Sequence, residues 1–389
     1  MSGQEDLDRR NFLAATGTAT AAGVLANFST GVAGEAAIPS PPVVDPDAPL
    51  AQFWNKHVFE LAQVNPTVEF PELGRPDIKE RHRIFCLLVM KLILRFWNGN
   101  KAGPVGIYPR RARQKDSSCA DGRYQGDSVS NPDGFRVNWD RYLGHNIACI
   151  AVDGKGEIID FEFNHNALFR STAEHAESRL VRRIFNLSNI ADGWRLGEPV
   201  PGRARSFSLS DVTIYTSLES CAQCSGVMSL GQVKQVVYLQ RDPTTYVVGN
   251  IMYNLAGKDS AGRRLAPLPI PGDALDFVGY RQLNGAYKDF VADITDAKKK
   301  DDRNRAFFVS ADKRSVDYEP SITSFLCTDI AHDVFEAGAS EFDALALRYP
   351  TVQTADGQDR WTNQDCLQGA RKFYEYADIE GYRGSPHRA

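Results

Sequence analysis

The chain has 389 residues, of which 42% are hydrophobic and 24% are charged, a composition typical of soluble globular proteins. A formal net charge of -4 gives no overall attraction to nucleic acid, so composition argues against a nucleic-acid partner. The length predicts two or three domains, or one domain with large extensions.

Residues 1–33 have the pattern of an export signal. Arg9 and Arg10 precede Phe12 and a mildly apolar stretch rich in Ala, Gly and Thr. This segment resembles a twin-arginine signal peptide, whose pathway carries folded proteins across a membrane. We therefore expect a periplasmic or extracellular protein, or a cytoplasmic one if the two arginines belong to an ordinary tail.

Two further segments precede the region that carries the chemistry. Residues 34–49 are predicted to be a proline-rich linker, and residues 50–142 an N-terminal extension that is helical first and irregular later. The most apolar part, Ile84 to Trp97, contains Lys91 and Arg95, so it is predicted to be a buried helix. No stable membrane span is expected once the signal is removed.

Residues 143–255 alternate between strand and helix patterns. The runs HNIACIAVD, EIIDFEF, DVTIYTS and QVVYLQRD are of strand type. Helical patterns follow the second and third strands, and the first of them is predicted to be capped by Ser171 or Thr172. This order predicts a three-layer α/β/α core.

Residues 256–389 are predicted to form a mostly helical C-terminal extension. The segment LAPLPIPGDALDFVGY indicates a proline-rich connection, and helical patterns start near Ser321 and Asp365.

Four residues of the core can carry catalysis. His175 and Glu177 stand at the start of one predicted helix, and Cys221 and Cys224 at the start of the next. Imidazole and thiolate are the ligands that zinc prefers, and a catalytic site leaves the fourth position to water. His175, Cys221 and Cys224 are therefore predicted to bind Zn²⁺, and Glu177 to carry protons beside it.

Other interpretations of the same residues stay open. A Cys-x-x-Cys pair also occurs in structural zinc sites and in redox-active pairs. The chain contains seven cysteines without dense spacing, which does not indicate a disulfide framework.

The segments TAEHAESRL and YTSLESCAQCSGVM resemble the cytidine deaminase superfamily, most of all its branch of tRNA adenosine deaminases and guanine deaminases. The resemblance covers about 100 residues and implies a cytidine deaminase-like core. It gives His175, Cys221 and Cys224 the role of zinc ligands and Glu177 that of the proton shuttle. It also implies that Asn164, or Asn166 if the register slips, contacts the substrate, and that backbone groups of Ala176 meet the base edge.

The chain departs from the family pattern in three places. Ser220 replaces the proline before the first cysteine, Glu174 is inserted before the histidine, and residues 189–210 form a long insertion. Because serine can cap a helix as proline can start one, metal binding is expected to survive the first change.

The sequence therefore predicts a zinc-dependent hydrolytic deaminase of a nucleobase, nucleoside or related aminated heterocycle. The expected partner is a small-molecule substrate rather than a nucleic acid, and the resemblance makes a homodimer plausible. The alternatives are an RNA or tRNA deaminase, a secreted effector, and a catalytically inactive protein of this fold that keeps a structural zinc.

Overall fold

The computed structural model describes residues 57–97, 102–103, 106–107, 144–166, 169–187, 208–245, 247–260, 262–295, 321–351 and 361–380. These residues belong to one compact unit, Asp47–Ala389. The predicted signal, the linker and most of the insertion at 189–210 lie outside the described residues.

A mixed five-stranded sheet forms the centre of this unit. Its strands are β3 (Ala148–Val152), β4 (Ile158–Phe163), β5 (Thr213–Thr216), β6 (Gln235–Tyr238) and β7 (Leu268–Pro271). The order across the sheet is β4-β3-β5-β6-β7. Strand β3 is antiparallel to both of its neighbours, whereas β5, β6 and β7 are parallel. A separate antiparallel pair joins β1 (Ala102–Gly103) to β2 (Gly106–Ile107).

Nine α-helices are found within the described ranges. They are α1 (Val58–Gln63), α2 (Pro76–Arg95), α3 (Ala176–Leu187), α4 (Ala222–Leu230), α5 (Val248–Leu255), α6 (Val278–Thr295), α7 (Ile322–Phe325), α8 (Asp329–Asp343) and α9 (Asn363–Glu380). Short 3₁₀ helices occur at Pro66–Glu69, Pro71–Gly74 and Gly272–Leu275.

Two neighbouring residues of β5 show that helices cover both faces of the sheet. The hydroxyl of Tyr215 lies 2.8 Å from Nδ1 of His82, and its ring lies 5.1 Å from that of Phe85, both on α2. The hydroxyl of Thr216 donates to Glu177 on α3. Because successive strand residues project to opposite faces, α2 and α3 lie on opposite sides. The predicted α/β fold with three layers and helical extensions is confirmed.

The face of the sheet that packs against α2 is covered by helices that come from early and late parts of the chain. Lys91 on α2 forms an ion pair with Asp343 on α8 and lies 4.4 Å from the ring centroid of Tyr374 on α9. Arg95 forms an ion pair with Asp378 on α9. The charged side chains of this apolar helix thus bind neighbouring helices, as expected for a buried helix. No helix within the described ranges is long and apolar enough to cross a membrane.

Two predictions about local structure were wrong. Helix α3 begins at Ala176, after His175, and is not capped by Ser171 or Thr172. Ser171 instead accepts a hydrogen bond from the N–H of Ala173 within its own turn, a common alternative to capping for serine.

The proline-rich segment after residue 264 was also misread as a connection, since it contains β7, a 3₁₀ helix and the start of α6. Proline disfavours a strand assignment in general, but it is tolerated in an edge strand, which is the position of β7.

Replacing Phe85 with alanine tests whether α2 is an integral layer of the core. The side chain of Phe85 is 1% exposed, so we expect Phe85→Ala to lower the free energy of unfolding by about 3–5 kcal/mol. Urea denaturation followed by circular dichroism measures this loss. Leu230→Ala, at a side chain that is 85% exposed, is the control and should change stability by less than about 0.5 kcal/mol. Equal stability of the two variants would contradict the packing described.

Candidate metal centre

Both halves of the centre stand at the N-termini of helices. His175 directly precedes α3, and its carbonyl accepts the N–H of Arg179 at 3.0 Å. Cys221 is the N-cap of α4 and has extended backbone angles. Exposed N–H groups and the helix dipole at such positions favour thiolate over thiol. The fold therefore brings the imidazole and the sulfurs to sites that suit a metal ligand.

The three donor atoms converge as the sequence predicts. Nδ1 of His175 lies 3.4 Å from Sγ of Cys221 and 3.6 Å from Sγ of Cys224. All three donors lie within 4.8 Å of one another. A tetrahedral zinc with usual bond lengths requires about 3.6 Å between a nitrogen and a sulfur ligand. These residues therefore fit a zinc ion, and His175 Nδ1 is the nitrogen that would hold it.

The two thiols of the centre differ in the direction of their pKa shifts. Hydrogen bonding to Cys224, together with that to His175, lowers the pKa of Cys221 to about 4. The same hydrogen bond and burial raise the pKa of Cys224, and the contact with Cys221 raises the pKa of His175. The pKa values of the two neighbouring thiols are therefore shifted in opposite directions.

A chain of hydrogen bonds runs from the first turn of α4, through the first turn of α3, to the buried sulfur of Cys224. Gln223 Nε2 donates to Oγ of Ser178 at 3.2 Å, and to the carbonyl of Ala173 at 2.9 Å. Ser178 Oγ lies 3.3 Å from Sγ of Cys224. Because Ser178 accepts from Gln223, its own hydroxyl proton is free to point at Cys224. Sequence reasoning missed both residues, although each lies inside a motif, directly after Glu177 and between the two cysteines.

Glu177 lies beside the donors without joining them. Its carboxylate is outside the group of donor atoms that lie within 4.8 Å of one another. Thr216 donates to its Oε1 at 2.9 Å, and Ser220 donates to the same oxygen at 3.3 Å. Burial and, to a lesser extent, the nearby charge of Cys221 raise the pKa of this carboxyl. A carboxyl whose pKa is raised takes up a proton more readily than an exposed one.

Asn164 and Ala176 are brought together in the same region. Oδ1 of Asn164 accepts the N–H of Ala176 at 2.7 Å, and both residues are buried. Asn166 follows two residues later, beyond the end of β4. The contact fixes the amide of Asn164 at the start of α3, next to His175.

An ion network anchors the residue inserted before the histidine. Glu174 accepts from Arg179 at 2.5 Å and from Arg182 at 3.0 Å, and Arg179 also binds Glu162 of β4 at 3.2 Å. Burial raises the pKa of Glu162 to about 7. Sequence reasoning missed this network, because its acids and arginines come from a strand, a loop and a helix.

Comparisons with known proteins give similar structures only. No family model matches the chain, and no curated protein matches it. A structure from work on A-to-I editing by tRNA:A34 deaminases is 19% identical over 32% of this chain and 82% of its own, with a TM-score of 0.23. Guanine deaminase from Nitrosomonas europaea is 19% identical over 36% of this chain and 72% of its own, with a TM-score of 0.23.

Guanine deaminase from Bacillus subtilis is 22% identical over 26% of this chain, with a TM-score of 0.21. The matched part spans about half, 53%, of the Bacillus subtilis protein. At these identities and TM-scores, none of the matches assigns an activity to the chain.

Zinc content tests the centre directly. We expect the purified protein to hold stoichiometric zinc, and His175→Ala, Cys221→Ser and Cys224→Ser each to lose it, because two remaining donors bind weakly. Plasma mass spectrometry of dialysed protein measures the metal. Cys86→Ala, at a buried cysteine of α2, is the control and should keep it. Zinc-free wild-type protein with two reactive thiols would instead favour a redox pair.

Ser178→Ala should weaken zinc retention without removing the ion. Loss of a hydrogen bond to a ligand typically lowers metal affinity by about 10- to 100-fold. Competition with a chromogenic chelator measures the affinity, and Ser178→Thr, which keeps the hydroxyl, should restore most of it. An unchanged affinity in Ser178→Ala would mean that the hydroxyl does not support Cys224.

Proposed function

We propose that the protein is a zinc-dependent hydrolytic deaminase that acts on a nucleobase, a nucleoside or a related aminated heterocycle and releases ammonia. The observation that supports this most strongly is the spacing of His175 Nδ1 from the two cysteine sulfurs, 3.4 and 3.6 Å, with a buried glutamate alongside. The resemblance of both motifs to the cytidine deaminase superfamily adds the reaction class.

Each residue of the centre has a distinct task in this proposal. His175, Cys221 and Cys224 would hold a zinc ion, which supplies Lewis-acid activation of water when bound. Glu177 accepts a proton from the attacking water at its carboxylate and later delivers a proton to the departing amine. Thr216 and Ser220 keep Oε1 of Glu177 in place through their two hydrogen bonds, so the proton moves without reorienting the carboxylate.

Asn164 would orient the substrate. Since its Oδ1 already accepts the N–H of Ala176, the remaining amide N–H groups can donate to an acceptor atom of the heterocycle. Ala176 would then act in part by holding that amide, in addition to the backbone contact with the base edge expected from the family pattern. A site that binds through such paired groups rejects substrates that lack the matching acceptor.

The same proposal includes a class of substrate, a cellular compartment and an oligomeric state. A net charge of -4 favours a small-molecule substrate over RNA or tRNA. The twin-arginine pattern supports export to the periplasm or beyond, after the metal has been loaded. A homodimer would follow from the family resemblance alone.

Glu177→Gln separates the deaminase from an inactive protein that keeps zinc for stability. We expect this variant to retain its zinc and to lose about 10²- to 10⁴-fold in kcat, because the carboxylate transfers protons but does not bind the metal. Ammonia release from a panel of nucleobases and nucleosides, measured with wild type and variant, gives the answer.

Glu336→Gln, at an exposed glutamate of α8, is the matched control and should be fully active. Wild-type protein that carries zinc but releases no ammonia from any member of the panel would support the structural-zinc alternative. Equal activity in wild type and Glu177→Gln would contradict the assigned proton shuttle.

A further inference from the structure

A cavity of about 240 Å³ lies at the opposite end of the sheet from the metal centre. It is lined by Gln235 and Leu268, the first residues of β6 and β7. The metal centre instead follows Thr216, the last residue of β5, which runs parallel to them. A strand of four residues spans about 10 Å, so the cavity is separate from the metal site.

Basic side chains outnumber acidic ones around this cavity. The basic ones are Lys234, Lys258, Arg263 and Arg264, and the acidic ones are Glu69 and Asp259. Arg263 is already bound to Asp259 at 2.7 Å. The local excess of positive charge contrasts with the net charge of -4 of the whole chain. Such a concave basic surface attracts small anions.

Arg264 is a buried cation of the cavity whose contacts with protein acceptors are long. Its Nη1 donates to the carbonyls of Asn254 and Ala256 at 3.5 Å each. Its side chain is 6% exposed and lies 5.0 Å from the ring centroid of Tyr253. Its buried Nε has no hydrogen-bond acceptor among the described residues. Its ion pair with Glu69 spans 3.7 Å, and the side chain of Glu69 is 51% exposed. A buried guanidinium N–H without an acceptor costs free energy, which a bound anion would recover.

The rest of the lining is apolar or aromatic. Phe70, Val233, Leu265 and Leu268 contribute apolar surface, and Tyr253 adds a ring. Pockets for small ligands combine this kind of surface with a few convergent polar groups.

We propose that this cavity is a second ligand site, which binds a small organic anion with a phosphate or carboxylate headgroup on Arg264 and an apolar or aromatic body. Glu69 occupies part of the position of the headgroup when the site is empty, because it is the acid that faces Arg264. Binding therefore competes with the Glu69 carboxylate.

Opposite effects of two charge changes test the site. Isothermal titration calorimetry with phenyl phosphate is expected to show binding to the wild type, weakened on the order of tenfold by Arg264→Gln. Glu69→Gln should tighten it by roughly two- to fivefold, since a weak competing ion pair is removed. Arg281→Gln, which removes an exposed arginine of α6, is the matched control and should leave affinity unchanged.

Three further probes define the ligand. Benzoate tests a carboxylate headgroup, inorganic phosphate tests the headgroup alone, and benzyl alcohol tests the apolar body without charge. We expect benzyl alcohol not to bind and inorganic phosphate to bind more weakly than phenyl phosphate.

A folding defect in Arg264→Gln would not leave the test undecided. If thermal melting shows that Arg264→Gln is unfolded, Lys258→Gln, at an exposed lysine, replaces it and should also weaken binding. Absence of binding by every anion, or equal affinities in Glu69→Gln and the two basic-residue variants, would overturn the proposal. Zinc content and ammonia release are measured separately, so failure here leaves the proposed deaminase unaffected.

Discussion

The meeting of one imidazole nitrogen with two sulfurs is the constraint on which the functional part of the molecule depends. Two loops, each leaving a strand and entering a helix, must bring Nδ1 of His175 within 3.6 Å of both cysteine sulfurs. Neither loop supplies all three donor atoms, because His175 precedes one helix and the two cysteines lie at the start of another. The sheet fixes the distance between the loops, and Gln223 ties one to the other through Ser178 and the carbonyl of Ala173.

Neighbouring groups of the metal centre differ in how deeply they are buried and in the direction in which their pKa is shifted. The pKa is lowered at Cys221, which is partly exposed at a helix N-terminus, and raised at Cys224, which is buried. The carboxyl of Glu177 is deeper than an ordinary surface glutamate and has a raised pKa. A set of groups with pKa values shifted in opposite directions is typical of sites that transfer protons.

Much of the centre could be read from the sequence because its signals are local. The strands from Ala148 to Tyr238 have short apolar runs, and the cysteine pair lies within four residues, so local patterns suffice. Helix α2 as a layer of the core was not foreseen, because Phe85 and Tyr215 are far apart in the chain. The anchor of Glu174 on Arg179 and Glu162, and the edge strand built from prolines, depend equally on tertiary contacts that no single-sequence pattern records.

The position of α2 also governs when the protein can fold. This helix leaves the ribosome early, whereas Tyr215 on the sheet and Asp343 and Asp378 on the last helices emerge much later. Contacts with such large sequence separation slow folding and leave apolar surface exposed in the meantime. Until those later residues have been synthesised, the apolar side chains from Ile84 to Trp97 lack the sheet and the helices against which they pack.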